Sequence, residues 1–544
     1  MSHCFASDSP LRVEYLENPA SKPRSKVHRP LAIAILLVVP ILFADCSLLV
    51  PSDSNDDPDN RSETANPDTS DDTAFSLPDE REQLVPEEVE GEVAAPSFVA
   101  GRREGSKLLV LFGQVPDAVE YTLKVYVGET SVAERTVPGT DFGAVIEDVT
   151  ADVKVVPGVR ARFKDDLVGP ETRTKGSVSP QKSTTVTLEE QQTSMTELGL
   201  VWSKPLPILA DRVFPFPDGT DTDAVAVVTD VPSRDTRVGS LVRVYSPTAQ
   251  VPEKPVRSFF LPHPVTSAIV EGKNLYVGTA CTATSTAHII AYDLEESGTS
   301  PVELSRVALV RAGNNLYEGC DDEVAEMVLR GDILTVRAGR VAVRALEVSD
   351  PTAMHEIKPR SQSWMVRFGH VVDFDLTDDH LMIGDGYFSD IIEALGASSG
   401  RLEEGRTLEM KIEDRSSGSG NFIHFLPHGR LVVHWSTYGE DEQNAVSVFD
   451  FDSFAELKRI ELQQFIEFDR VPPQGETEFF GHSGEALYRL EVSDDAGISL
   501  HGPMIVPELI MSLCTTPSTF AVAFGDRGVV FFSRSRRAPT PSGF

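Results

Sequence analysis

Cysteine, tryptophan and positive charge are scarce in this chain. Five cysteines (Cys4, Cys46, Cys281, Cys320 and Cys514) in 544 residues are too few for a disulfide scaffold. None stands in the CxxC spacing of a zinc site or redox pair. Forty-nine lysines and arginines face 84 aspartates and glutamates, a formal net charge of -35. A polyanion repels nucleic acid where counterion release normally supplies the affinity, and no basic face offsets this, so nucleic acid is excluded as a partner. An apolar run of roughly 20 residues, the length of a spanning helix, is also missing. The run LAIAILLVVPILFA (31–44) is shorter, carries Pro40 and stops at Asp45. No cofactor is expected.

What is present begins with that run. Lys22, Arg24, Lys26 and Arg29 precede it and Cys46 follows, the layout of a secretory signal. The length of the segment before it points to Val27 as an alternative start. Phe43, Ala44, Asp45 and Cys46 resemble the lipobox of bacterial lipoproteins, although Asp45 stands where that family has a small neutral residue. The resemblance implies cleavage before Cys46, acylation of Cys46, and attachment to a bacterial membrane in the cell envelope, at the outer membrane or on the periplasmic side. Acyl chains hold a protein on a bilayer through their buried methylenes. An uncleaved signal anchor with an incidental cysteine is the other reading. Residues 1–46 are thus the signal segment. Residues 47–96 are rich in Asp, Glu, Ser and Pro and poor in aromatics, which predicts a disordered acidic tether. Asp53, Asn55 and Asp57 alternate as calcium ligands do, but Pro58 stands where the turn needs glycine and no glutamate closes the loop.

Alternating patterns start near 97. KLLVLFGQVPDAVEYTLKVYVGE (107–129) reads as a strand, a turn and a period-2 strand with Leu123, Val125 and Val127 on one face. Further strands fit VIEDVTADVKVV and VRARF. Short strands at this spacing predict a β-sandwich over 97–188. Their order resembles the fibronectin type III family, with Ala118 and Tyr121 where its third strand begins and VRARFKDDLVGPET as its sixth strand and closing hairpin. Phe112 stands in the usual tryptophan slot, and Pro157 and Gly158 interrupt where a tyrosine is usual. The resemblance implies a spacer or adhesive module.

Residues 198–534 repeat a phrase of about 45 to 52 residues: apolar strand, tight turn, second strand, third strand ending in an acid, fourth strand. VEGKNLYVGTA with HIIAYDLEESGTSPVELSRVAL is one copy. A single such sheet cannot cover both its faces, and a ring of them does, which predicts a β-propeller. Boundaries near 211, 263, 310, 359, 412, 463 and 507 give seven blades. The last copy lacks a strand, which 198–209 is expected to supply by pairing the two ends of the domain. VAVRALEVSDPTAMHEI (341–357) resembles the LVIVD-type repeat, and FLPHGRLVV resembles the turn of YVTN-like and WD-repeat propellers, with His428 in the aspartate position. Residues 535–544 are expected to be a disordered tail. The fold class is therefore all-β: tether, small sandwich, seven-bladed propeller.

Chemistry is sparse. His424, His428 and His434 are close in sequence but flank a turn, and no adjacent acid completes a metal set. No metal site is expected. FGHSGEA (480–486) departs from a nucleophile elbow at Glu485 and lies in strand-turn-strand context. Cys281 and Cys320 are candidates for a disulfide, which needs a Cα separation that sequence does not reveal. Longer, acid- and aromatic-rich loops at 281–287, 313–323, 384–391 and 436–444 form the candidate binding rim, with Glu318, Asp321, Asp322, Glu323, Asp385, Tyr387 and Asp390. The leading expectation is a binding or scaffold protein for a protein or glycan partner. The alternative is a hydrolase or lyase acting on extracellular polysaccharide through Asp322, Asp385 and Asp390.

Overall fold

The computed structural model describes residues 94–535 except 151, 181–185, 187, 189–191, 218–220, 234–235, 247–253, 281–286, 296–299, 310–323, 339–341, 358–370, 386–389, 410–417, 438–442 and 470–475. The expectations for Cys46, Cys281, Glu318, Cys320, Asp321, Asp322, Glu323 and Tyr387 lie outside the described residues, as do the signal segment, nearly all of the acidic stretch after it, and the C-terminal tail.

Seven strands come first: β1 (Val99–Glu104), β2 (Lys107–Phe112), β3 (Glu120–Val127), β4 (Thr130–Pro138), β5 (Gly143–Ile146), β6 (Val156–Arg162) and β7 (Val168–Arg173). They form one sheet in the order β1-β2-β5 and another in the order β4-β3-β6-β7. Tyr121, Leu123 and Val125 alternate with partly exposed neighbours along β3, so one face is apolar. That face shares a core with Leu108, Val110 and Phe112 of β2. Phe112 packs on Tyr121 at 4.5 Å between ring centroids, and the Tyr121 hydroxyl accepts the Val115 N–H at 2.6 Å. The stretch VIEDVTADVKVV is not one strand. β5 stops at Ile146 and β6 starts at Val156 because the chain leaves one sheet for the other between them. Asp148 takes φ +57° there, and Val149 N–H donates to Ser106 O at 2.8 Å.

A short helix α1 (Gln192–Glu197) and β8 (Leu200–Leu206) lead into seven four-stranded antiparallel sheets among the described residues. Their first strands are Arg212–Pro215, Val265–Glu271, Val324–Arg330, Val371–Leu376, Gly418–Leu426, Glu467–Phe468 and Ser512–Thr515. An apolar cluster fills each gap between successive sheets. Val244 meets Val277 between sheets 1 and 2, Ile289 meets Val336 between 2 and 3, and Val343 meets Phe374 between 3 and 4. Met382 meets Val433, Val446 meets Leu490, and Phe480 stacks on Phe520 at 4.3 Å. The seventh gap joins the last sheet to the first through Phe531, Val225 and Tyr245. Sheets packed on both faces bury successive residues along a strand, as in Ile333–Ala338, buried at every position, Thr335 and Arg337 included. The arrangement is that of a propeller, in which circular packing leaves only short edges.

The last sheet contributes three strands of its own, and β8 pairs with Val529–Arg534 as its fourth, the pairing expected of the stretch 198–209. The helix α1 was not anticipated from sequence. It adds Met195 to Leu198 and Leu200 in the cluster beneath the closing strand. In each meander, the second-to-third and fourth-to-next connections leave one rim, here called the first rim, and the others leave the second. The sheet β1-β2-β5 meets the first rim. Ala100, Leu109 and Leu111 share a cluster with Leu209, Val231, Leu241 and Phe260.

Candidate functional site

The first strands of the seven sheets surround a central cavity of about 770 Å³, lined from six of them. Among the described residues these strands have no ladder partner on their inner side, so side chains take over part of the bonding. Val213 N–H donates to Ser512 Oγ at 3.3 Å, joining sheet 1 to sheet 7. Thr266 Oγ1 donates to Val324 O at 2.7 Å, joining sheets 2 and 3. Asp373 Oδ2 accepts Ile423 N–H at 2.7 Å, and Asp375 Oδ2 accepts Phe425 N–H at 2.7 Å, joining sheets 4 and 5.

Most charges in the wall are accounted for by partners. Arg212 Nη1 donates to Asp230 Oδ2 at 2.8 Å. Arg337 Nε donates to Glu326 Oε2 at 3.3 Å, with both side chains buried. Asp375 also holds His424 Nδ1 at 2.9 Å. Glu467 lies 3.9 Å from His482 Nε2, and burial lowers the His482 pKa against the opposing pull of that carboxylate. Cys514, a free cysteine, is buried in the wall, and desolvation pushes its thiol pKa well up. A thiol so held is a small apolar side chain and a poor nucleophile.

The three histidines separate by role. His428 sits in a turn with φ +64°, followed by Gly429 at +66°, a left-handed pair that suits a tight hairpin. His424 and His434 both enter the aromatic layer between sheets 5 and 6, where they flank Phe422. The His434 ring lies 5.6 Å from Phe468 and 5.2 Å from Phe465, fully buried, and burial lowers its pKa to about 3. An acid does lie beside His424, contrary to the reading of the local sequence, because Asp375 arrives from the preceding sheet. Among the described residues no group of three or more His, Cys, Asp or Glu side chains is placed to hold a metal ion. The Gly481–Glu485 stretch is the hairpin between Glu478–Ser483 and Ala486–Val492, with no helix following.

Of the rim candidates, Asp385 ends the strand His380–Asp385 and Asp390 begins Asp390–Leu395, so both flank one connection of sheet 4. The ladder pairs Asp385 with Val371 and Asp390 with Glu409. The candidate loops at 281–287, 313–323, 384–391 and 436–444 all join second to third strands or fourth to first strands. The described strands that flank these four stretches have their facing ends at the first rim, where the sheet β1-β2-β5 also packs. Arg102 of β1 reaches Asp211, Asp526 at 2.9 Å and the Asp230 carbonyl at 2.7 Å. Asp211 precedes sheet 1, and Asp526 lies in the second-to-third turn of sheet 7. The cavity wall itself escaped sequence reading. Its signal was a charge set inside an otherwise apolar first strand, as in VAEMVLR and VVDFDL.

No protein-family model matches the chain, and no curated protein matches it in sequence. Solved structures similar in part include BamB from Moraxella catarrhalis, at 11% identity and TM-score 0.36, covering 63% of this chain and 99% of that one. A periplasmic gluconolactonase of Pseudomonas aeruginosa has 11% identity and TM-score 0.38, covering 77% and 100%. Virginiamycin B lyase from Staphylococcus aureus has 10% identity and TM-score 0.38, covering 59% and 94%. Likeness at these values assigns no family. The fold rests on the strand order and the seven inter-sheet clusters.

Proposed function

We propose that this chain is an exported binding or scaffold protein, held in a bacterial cell envelope through lipidated Cys46 and an acidic tether over 47–96. In this reading a fibronectin type III-like sandwich and a seven-bladed propeller act as one body, whose first rim meets a protein or glycan partner. The observation that carries it is the junction. Glu104 and Arg243 form a buried 2.8 Å ion pair beside a shared apolar cluster, so the sandwich holds a fixed place on the rim that bears the candidate loops. Loops on a rigid scaffold are where recognition concentrates. A polysaccharide hydrolase acting through carboxylates needs two of them flanking the scissile bond in a pocket. Glu326 and Asp375 in the cavity are instead bound to Arg337 and to His424.

Photo-crosslinking residues placed at 385 and 390 in envelope-bound protein should each trap one discrete species. The same residue at 350 and 453, in third-to-fourth connections on the second rim, should trap none. Equal crosslinking at both rims, or shortening of a purified polysaccharide by the protein alone, overturns the reading. The anchor is tested separately by the mass of the mature N-terminus, which should be an acylated Cys46.

A further inference from the structure

We propose that a groove between sheets 3 and 4 on the second rim binds a small organic oxyanion, a phosphate monoester or a carboxylate. This site is separate from partner capture at the first rim. The groove measures about 710 Å³ and receives Arg330 from sheet 3 and Arg401 from sheet 4. Among the described side chains, these are the two arginines that donate to no acceptor. Acids outnumber bases in the chain by 84 to 49, and Arg212, Arg337, Arg344 and Arg406 each hold a carboxylate. Two unpaired guanidinium groups on one groove therefore stand out against the rest of the molecule. Arg330 Nε is buried without a partner, so it has lost its water without compensation. A guanidinium offers forked donors that match the oxygens of a carboxylate or phosphate.

Both arginines sit on fixed backbone. Arg330 ends the strand Val324–Arg330, and Arg401 follows the turn Ala397–Ser399. Ser399 Oγ donates to Gly396 O at 2.9 Å and accepts the Arg401 N–H at 3.3 Å. Ile333 and Ile357 give the groove an aliphatic lining, which suits an organic body on the anion. A Cβ on Gly400 would lie 2.3 Å from Ile357 Cδ1, so sheets 3 and 4 touch at that lining. Four acids also border the groove, and three are engaged elsewhere. Glu347 accepts Ser349 Oγ at 3.1 Å and lies 3.5 Å from His355 Nε2. Glu356 lies 3.4 Å from Arg344 Nη1. Asp332 is near Glu271 of sheet 2, whose carboxyl pKa is pushed up by burial and then by that charge. Asp378 remains, and it is exposed, where solvent and salt screen it.

The test uses the full-length protein in equilibrium dialysis with phenyl phosphate, benzoate and the neutral benzyl alcohol, at low and high salt. At least one of the two anions should bind saturably at one site and weaken with salt, and the tighter of them names the oxyanion. Benzyl alcohol should bind at least about tenfold more weakly. Arg330→Gln and Arg401→Gln should each weaken that anion about tenfold, and Asp378→Asn should tighten it at low salt. Circular dichroism and the crosslinks at 385 and 390 should stay unchanged. Benzyl alcohol bound as tightly as the anions, wild-type affinity in both folded arginine variants, or no saturation by either anion overturns the proposal. If Arg330→Gln does not fold, Arg401→Gln at its exposed position and the probe series still decide it. Because first-rim crosslinking is read independently, failure of one reading does not imply failure of the other.

Discussion

Glu104 on strand β1 and Arg243 on the third strand of the first propeller sheet are joined at 2.8 Å, with side chains 5% and 7% exposed. Glu104 Oε2 also accepts the Leu209 N–H at 2.9 Å, so one carboxylate ties together strand β1, the first propeller sheet and the segment entering it. Removing one member of a buried pair strands the other charge, at a cost of about 3–5 kcal/mol. Glu104→Ala should therefore destabilise the junction by that order, and urea unfolding should split into separate transitions of the N-terminal sheets and the propeller. The double change Glu104→Leu with Arg243→Leu should cost less than either single change. A single-mutant loss below about 0.5 kcal/mol, typical of surface positions, contradicts this account.

Leu200 tests the closure. It is 2% exposed, packs among Phe480, Phe520 and Phe532, and belongs to the strand that completes the last sheet. Leu200→Ala should cost about 2–5 kcal/mol. Amide exchange should rise first along Val529–Arg534, the strand paired with β8, with sheets 3 and 4 less affected. Uniform exchange across all sheets would show that the closing strand is not the weak point.

His434 gives a pH dependence. Its folded pKa is lowered from 6.5 to about 3 by burial, and its ring faces Phe465 and Phe468. The other titratable groups of that seam are His424 with Asp375, and Glu467 with His482. A histidine kept neutral in the fold takes up a proton more readily when unfolded. Its contribution is therefore present above pH 6.5 and is lost as the pH falls from there toward 3. His434→Phe should flatten the acid limb of stability against pH in denaturant titrations. An unchanged slope would place the acid sensitivity at other groups.

Parts of this were legible in sequence because they are local. Alternation along β3, tight turns such as His428–Gly429, and the recurring four-strand phrase follow from residue periodicity. The short seventh copy, with its orphan strand at 198–209, is a matter of counting. Other parts were not legible. The helix α1 is six residues long, too short for a periodic signal, and is supported by the cluster beneath it rather than by its own propensity. The stretch after Ile146 keeps a strand-like composition, yet a left-handed Asp148 carries it to the other sheet. Asp375 and His424 lie 49 positions apart and meet only because sheets 4 and 5 abut.

By itself the sequence determined the acid balance, the secretion-like N-terminal pattern, the all-β class and the repeat, since composition and periodicity act within a few residues of each other. Tertiary structure alone decided which charges are buried together. Pairs such as Glu104–Arg243 and Asp375–His424, and the set of charges brought to the central wall, depend on which sheets become neighbours. Circular packing fixes that, and no local window of residues contains it.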